Sequence, residues 1–267
     1  KDQCLEYAQS VIKYKNQDTI KITTEFGLQI EGTYNHPIMV SPYTAKDKST
    51  ILHNNNNKLL STIWDNRYFK QLSEVEVGDL VEIPCNYDTG GCYQSLDLQI
   101  LSGRDYKHNK TVRMPEILDE KFAEFLGMYH ADGSHSARDG TFTITLSNDD
   151  PDVYTHFDKL CAELFNLPTC RYDKQAANHE VDTYLNCWKL RDLDRILVTG
   201  KRNKKIPELI WKSPRSVINA YIRGCTLDSS VYIDSTTKRA MFELSICDLE
   251  DIRFIQLHLL SQGIVSY

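Results

Sequence analysis

The stretches FLGMYHADG (residues 125–133) and IRGCTLDSS (residues 222–230) decide the fold that the sequence predicts. In both, a glycine lies within an apolar run at helical spacing. Gly127 and Gly224 lie 97 positions apart (224 − 127). From each of them onward, hydrophobic periodicity predicts the same order of elements: a helix, then strands, then a helix. We therefore expect an internal duplication.

Small residues recur along both predicted helices. Ala123, Gly127 and Ala131 are spaced four apart and form one stripe along the first helix. Ala220 and Gly224 form the matching stripe of the second. Helices with such stripes approach each other closely. A pseudo-twofold axis between them would bring their C-terminal ends together.

An acidic residue follows the apolar run of each helix, and the helix dipole opposes a carboxylate there by roughly 0.3–1 kcal/mol. A divalent cation shared by Asp132 and Asp228 would compensate for this cost. Two carboxylates that hold Mg²⁺ can activate water and stabilise the leaving oxygen in phosphodiester cleavage. One Asp alone is better explained as the end of a helix, but two copies in matching contexts favour the metal site.

These residues resemble a known family. Residues 127–133 are similar to the first LAGLIDADG motif of homing endonucleases, and residues 221–224 to the start of the second. The segment KKIP (residues 204–207) resembles the Lys-x-Ile-Pro segment of intein endonucleases, and residues 249–267 resemble the helix and strand that follow. The resemblance extends from about residue 112 to the C-terminus.

The resemblance implies roles for particular residues. Asp132 would be a metal-binding catalytic carboxylate, and Lys204 or its neighbour Lys205 a basic group near the scissile phosphate. The basic run Lys201, Arg202, Lys204 and Lys205 would contact DNA; the alternative is a solvated loop. The expected substrate is double-stranded DNA, the expected cofactor Mg²⁺, and the expected assembly a monomeric pseudo-dimer.

The second motif departs from the family pattern. Ser229 occupies the position equivalent to Asp132, and the nearby acid, Asp228, lies one residue earlier. One residue rotates a side chain by about 100° around a helix, since a turn takes 3.6 residues. Asp228 reaches the metal if the last turn is distorted. Otherwise one half-site lacks its ligand, and the domain binds DNA but cuts poorly or not at all, or persists only as a structural insertion.

The first hundred residues read as a β-rich unit, with short alternating runs such as residues 19–24 and 80–84. Thr33 and His36, three apart at a predicted strand end, can hydrogen-bond a strained peptide and protonate its departing nitrogen; alternatively, the histidine is structural. This pair, followed by VGDLV at residues 77–81, resembles the Hint fold of inteins. That resemblance implies splicing roles for Thr33 and His36.

We therefore predict an α+β chain: an all-β Hint-type splicing domain followed by a pseudo-twofold duplicated αββαββα LAGLIDADG endonuclease domain. The expected ranges are 1–108 for the partial Hint domain, 109–267 for the endonuclease domain, and about 115–200 and 205–267 for its two repeats, the second truncated. The chain lacks the terminal Cys or Ser and the His-Asn pair that splicing needs. We expect no splicing from it, although host segments (exteins) would flank it in a precursor.

Composition narrows the function classes. The chain of 267 residues, 41% hydrophobic and 25% charged, is long enough to form one large domain or two moderate ones, each with its own core, and we expect two. A formal charge of −6 argues against a uniformly basic DNA-binding surface, so any DNA contact must use a local one. No apolar run predicts a membrane span, and the eight scattered cysteines predict reduced thiols. We expect an intracellular protein, nuclear or cytoplasmic with its host; a DNA-binding regulator without cleavage is a further alternative.

Overall fold

A computed structural model describes residues 15–44, 66–102, 111–138, 140–173, 180–197, 204–227 and, with several gaps, 229–266. Lys201, Arg202 and Asp228 lie outside the described residues. The chain divides into two compact units, residues 1–88 with 259–267, and residues 89–258.

The first unit is built from short antiparallel strands. β1 (Thr19–Thr23) pairs with β2 (Gln29–Thr33), while β3 (Pro37–Thr44) lies between β4 (Tyr68–Gln71) and β5 (Asp79–Val81). A 3-10 turn at Leu72–Glu74 follows β4. The small hydrophobic core of the first unit consists of Ile38, Val40 and Leu72, with the partly buried Ile22, Val75 and Val81 packed against them. The described residues before position 89 contain no α-helix.

The division between the units falls after residue 88, which is 20 residues before the predicted boundary after residue 108. β6 (Gln94–Ser95) pairs with β7 (Ile117–Leu118). The segment around β6 is bonded to the second unit: the amide of Cys92 donates to the Lys212 carbonyl (3.0 Å), and that of Leu101 to the Lys189 carbonyl (3.1 Å). These long-range bonds explain why residues 89–102 belong to the second unit. The bonds could not be predicted from a local sequence pattern, because their acceptors lie far away in the sequence.

The first copy of the duplicated region contains α1 (Glu120–Asp132), β8 (Gly133–Arg138), β9 (Thr141–Asn148), α2 (Pro151–Phe165), β10 (Cys170–Asp173) and β11 (Val181–Asn186). A 3-10 segment (Trp188–Leu193) and the short α3 (Asp194–Leu197) follow. The four strands form one antiparallel sheet in the order β10-β11-β9-β8. Asp119 caps α1 through the Phe122 amide (2.9 Å), as expected of an N-terminal aspartate.

The second copy follows the same order. After α4 (Glu208–Trp211) come α5 (Arg215–Thr226), β12 (Val231–Ile233), β13 (Ala240–Phe242) and α6 (Leu249–Ser261). Adding the 97-residue spacing to the range of α2 gives positions 248–262, which brackets α6 to within one residue at each end. The helix, strands, helix order therefore occurs twice. None of the described helices is long and apolar enough to cross a membrane.

Two elements differ from the prediction. The sequence pattern predicts a strand over residues 184–190, but β11 ends at Asn186. Leu190 and Leu193 are instead buried at the three-residue period of the 3-10 segment that follows. Strand β8, with the sequence GSHSAR, was not predicted, since it has no apolar alternation. It is held by pairing with β9 along its whole length.

Candidate active site at the ends of the paired helices

The glycines of α1 and α5 lie against each other. A Cβ atom added at Gly127 would lie 2.1 Å from the carbonyl oxygen of Tyr221, and one added at Gly224 would lie 2.2 Å from that of Glu124. Each carbonyl belongs to the residue three positions before the opposite glycine. Each Cβ would also lie 3.0 Å from the Cα of the other glycine. The contacts are thus reciprocal, as a local twofold axis between the helices requires.

The two helices run in the same direction. Ser216, at the start of α5, donates a hydrogen bond to Glu120, at the start of α1 (2.6 Å). Since the first turns and the central glycines both meet, the C-terminal ends emerge at the same end of the pair. Ala123 and Ala220 are buried in it, as the small-residue stripes predict, whereas Ala131 is exposed and lies beyond the contact.

An ion pair bridges the helices beside the crossing. Arg223 of α5 donates two hydrogen bonds to the carboxylate of Glu124 on α1 (2.9 and 2.7 Å), and His156 of α2 lies 3.1 Å from the same carboxylate. Glu124 is 7% exposed. The hydrogen bonds from Arg223 hold the pKa of Glu124 below its usual range, although burial opposes them. This charged contact joins α1, α2 and α5 beside the crossing.

Asp132 ends α1 and is half-buried. The side-chain amide of Asn148 donates to its carboxylate (3.2 Å), and Asn148, only 4% exposed, is itself held by accepting a bond from the Asp150 amide (2.8 Å). Asn148 is not among the residues predicted from the sequence. A signal was available, because Asn148 occupies an inward position of β9 where the alternation otherwise places hydrophobic residues.

Lys204 lies at the same end of α1. Its ammonium group donates hydrogen bonds to the backbone carbonyls of Tyr129 (2.8 Å), His130 (3.0 Å) and Gly133. Burial lowers the pKa of Lys204, while the negative charge of Asp132 raises it. Lys205, by contrast, points to solvent and pairs with Asp248 (2.8 Å). The two neighbouring lysines therefore have different environments.

Buried tyrosine and half-buried histidine side chains support this end of α1. His130 is hydrogen-bonded to the hydroxyl of Tyr221 on α5, and burial, followed by the charge of Lys204, lowers the pKa of His130 to about 4. The Tyr129 hydroxyl lies 2.6 Å from Nδ1 of His135, whose Nε2 lies 2.9 Å from Asp194. Neither chain of bonds was predicted, because both join residues from different elements.

The corresponding end of α5 is shorter. The helix ends at Thr226, three residues before Ser229, the equivalent of Asp132. The Ser229 amide donates to the Thr226 carbonyl (2.9 Å), which continues the helical turn for one more bond. The second predicted ligand, Asp228, is not among the described residues. The structure thus places one of the two predicted metal ligands, Asp132, at this end of the helix pair.

The Mg²⁺ expected at this end meets a partly suitable set of groups. Asp132 offers the hard oxygen that Mg²⁺ prefers. Within the described residues, no group of three or more His, Cys, Asp or Glu side chains is arranged to hold a metal ion. Magnesium is commonly held by one or two carboxylates together with waters and substrate phosphates, and Asp132 meets part of that requirement.

One face of the four-stranded sheet is rich in hydroxyl groups. Phe142, Ile144 and Leu146 point toward the helices, so the alternate residues of β9 and its neighbours form the other face. That face consists of Ser134, Ser136, Arg138, Thr141, Thr143, Thr145, Ser147, Cys170, Tyr172, Asp182, Tyr184 and Asn186. These side chains are half-buried or exposed. They present hydrogen-bond donors and acceptors with little net charge.

Thr33 and His36 close a tight turn in the first unit. The His36 amide donates to the Thr33 carbonyl (2.9 Å) in the turn between β2 and β3. The Thr33 hydroxyl donates to the Asn35 side chain (2.8 Å) and not to His36, which is exposed. The turn therefore joins the two predicted splicing residues through their backbones, and the Thr33 hydroxyl is bonded to Asn35 and not to the His36 side chain.

Comparisons with known proteins give partial matches. No family model matches the chain. One component of the A-type ATP synthase of Pyrococcus abyssi is 33% identical over 94 residues, which are 35% of this chain and 8% of that protein. The replication factor C small subunit of Thermococcus kodakarensis is 24% identical over 242 residues, which are 88% of this chain and 22% of that protein. The chain thus spans less than a quarter of either relative.

Proposed function

We propose that the chain is an intein segment whose second unit is a site-specific homing endonuclease of the LAGLIDADG class, which hydrolyses double-stranded DNA with Mg²⁺. The observation that carries this proposal is the reciprocal contact of Gly127 and Gly224 between two helices that run in parallel. Such a pair directs the ends of two homologous half-domains toward one point. A reaction on two antiparallel DNA strands needs this kind of symmetry.

Asp132 and Asp228 would hold the Mg²⁺, which supplies a polarised water and charge stabilisation at the leaving oxygen. The described residues contribute positioning. Asn148 orients the Asp132 carboxylate, and the pair of Glu124 with Arg223 joins the helices beside the crossing on which the geometry depends. A displacement of about 1 Å at such a centre costs about 100-fold in rate.

The hydroxyl-rich sheet face would read the DNA. Hydroxyl and amide groups accept or donate to base edges in the major groove, whereas cations mainly contact phosphates. Among the described residues of this face, Arg138 is the one cation and Asp182 offsets its charge. Phosphate contacts would then come from elsewhere, and Lys201 and Arg202 remain the proposed source.

The comparisons identify no activity, and their distribution is compatible with the intein part of the proposal. The two relatives have unrelated names, and each matches this chain over a small share of its own length. Such a pattern is expected of a segment carried inside unrelated host proteins. In this proposal the first unit is the splicing domain, with Thr33 and His36 at the turn where the reacting peptide would bind, and flanking exteins are its natural partners.

A second candidate is a degenerate endonuclease that binds DNA without cutting it. The observation that favours it is the end of α5 at Thr226 together with a serine at position 229. A serine hydroxyl is a weaker ligand for Mg²⁺ than a carboxylate. The half-domains would then share a symmetric frame and differ at the one position where cleavage needs symmetry.

Cleavage by the purified chain separates the two candidates. Random-sequence double-stranded DNA is selected for binding, and the selected duplexes are incubated with Mg²⁺ or Mn²⁺. The endonuclease proposal expects double-strand cuts that Asp132→Asn abolishes while DNA affinity changes less than threefold. Asp149→Asn, which removes an exposed carboxylate outside the helix pair, is the matched control and should leave cutting intact.

The degenerate candidate expects a silent chain that gains cleavage on Ser229→Asp. Cutting by the unaltered chain excludes that candidate. If neither the chain nor Ser229→Asp cuts any selected duplex, the endonuclease proposal fails. A chain that selects no sequence at all would remove DNA recognition from both candidates.

A further inference from the structure

Lys204 has all three ammonium protons directed at one helix end. Its acceptors are the carbonyls of Tyr129, His130 and Gly133, in the last turn of α1 and just beyond it. An ammonium group has three donors and no acceptor, so these bonds account for its full capacity. The lysine reaches this end from a segment more than seventy residues away in sequence. It acts as a C-terminal cap supplied by another part of the fold.

The cap meets a specific electrostatic need. The C-terminal carbonyls of a helix lack partners within the helix and carry partial negative charge. Asp132 adds a full negative charge at the same place, which destabilises the last turn. The ammonium of Lys204 offsets both, and its placement over the Tyr129 ring (5.0 Å to the ring centre) adds a further favourable contact.

We propose that Lys204 is a positioning residue, which holds the last turn of α1 and thereby the Asp132 carboxylate, and that it does not contact a DNA phosphate. This inference rests on the proposed endonuclease function and assigns the lysine a different role in it. Three bonds to fixed backbone oxygens leave no donor for a phosphate. Releasing the lysine to a phosphate would uncap the helix end that carries the catalytic carboxylate.

Three measurements on Lys204→Met test the proposal. Methionine keeps the length of the side chain and removes the charge and all donors. We expect exchange of the Gly133 amide, which is bonded to the Tyr129 carbonyl, to accelerate at least about tenfold. We also expect kcat to fall about 100-fold with KM unchanged. The affinity for a selected duplex and its dependence on salt should stay within twofold of the parent chain.

Lys212→Met is the matched control. It removes the same charge from a side chain that is 60% exposed and paired with Glu208. We expect no change in Gly133 exchange and less than a threefold change in kcat. Lys204→Gln, which keeps two uncharged donors, is the second variant should Lys204→Met not fold, and we expect exchange at Gly133 intermediate between the parent and the uncapped helix.

A phosphate-contacting lysine gives a different result. Lys204→Met would then weaken binding to all duplexes about equally and lower the slope of log affinity against log salt by about one. Unchanged Gly133 exchange together with that lower slope would overturn the inference. If the parent chain binds no DNA, the proposed function fails, and the Gly133 exchange alone still decides whether Lys204 holds the turn.

Discussion

Replacing either central glycine by alanine should force α1 and α5 apart. The new Cβ of Gly127→Ala would lie 2.1 Å from the Tyr221 carbonyl oxygen, and that of Gly224→Ala 2.2 Å from the Glu124 oxygen. An ordinary contact of about 3.4 Å therefore requires the helices to separate by about 1.3 Å at the crossing. The obstructing atoms are backbone, so no side chain can rotate away.

The magnitude follows from two opposing effects. Overpacking a well-filled interior costs typically 1–3 kcal/mol, and contact with rigid backbone places this case at about 3 kcal/mol. Alanine is the better helix former and returns about 1 kcal/mol. We expect a net loss of about 2 kcal/mol for each variant, which lowers Tm by about 4–8 °C in a unit of this size.

Thermal unfolding followed by circular dichroism measures both variants against a control. Ala131→Gly lies on α1 but is exposed, so it reports helix propensity alone and should cost about 1 kcal/mol. The double variant should cost at least about 1 kcal/mol less than the sum of the single ones, since one separation accommodates both methyl groups. A rise in Tm for Gly127→Ala, or strict additivity, would refute the close reciprocal crossing.

Three other predictions concern the surroundings of that crossing. Burial lowers the pKa of His130 to about 4 from its ordinary 6.5, so the unfolded chain takes up the proton first as the pH falls. The free energy of unfolding should therefore drop by about 2 kcal/mol between pH 7.5 and 5. Urea titrations of His130→Gln should lack this contribution to the pH dependence. Glu124→Gln removes the charge that Arg223 binds and should lower the free energy of unfolding at pH 7 by about 1–3 kcal/mol. The loss is measured as a lower urea midpoint, and a midpoint equal to that of the parent chain would show that the ion pair does not stabilise the fold. Tyr184→Ala, on the hydroxyl-rich sheet face, should change the sequence preference recovered by DNA selection while the salt dependence of binding stays constant; an unchanged preference would remove that face from recognition.

The crossing of α1 and α5 was predictable because its information is local. Gly127 and Gly224 each lie in an amphipathic segment whose small residues recur at helical spacing, and the 97-residue repeat makes the two segments equivalent. Elements held by distant partners were not predictable in this way. Strand β8 has no apolar alternation and depends on β9, and the segment near Cys92 depends on the carbonyl of Lys212.

The same limit applies to the candidate site. Elementary electrostatics predicts that Asp132 needs partners, but only the three-dimensional structure shows which residues these partners are. A carboxylate at the end of α1 requires positive charge or donors, and that much follows from the position of Asp132 alone. The structure supplies them from Asn148 and Lys204. Asn148 lies 16 positions from Asp132 in the sequence, and Lys204 lies 71 positions from Gly133, whose carbonyl it binds. Family resemblance placed Lys204 near a phosphate because its motif lies beside the active site. Its hydrogen bonds to the end of α1 explain in a different way why Lys204 lies beside Asp132. The two explanations differ in one measurable quantity, the number of counterions released when the chain binds DNA: removing a lysine that contacts a phosphate lowers this number, and removing one that caps the helix does not.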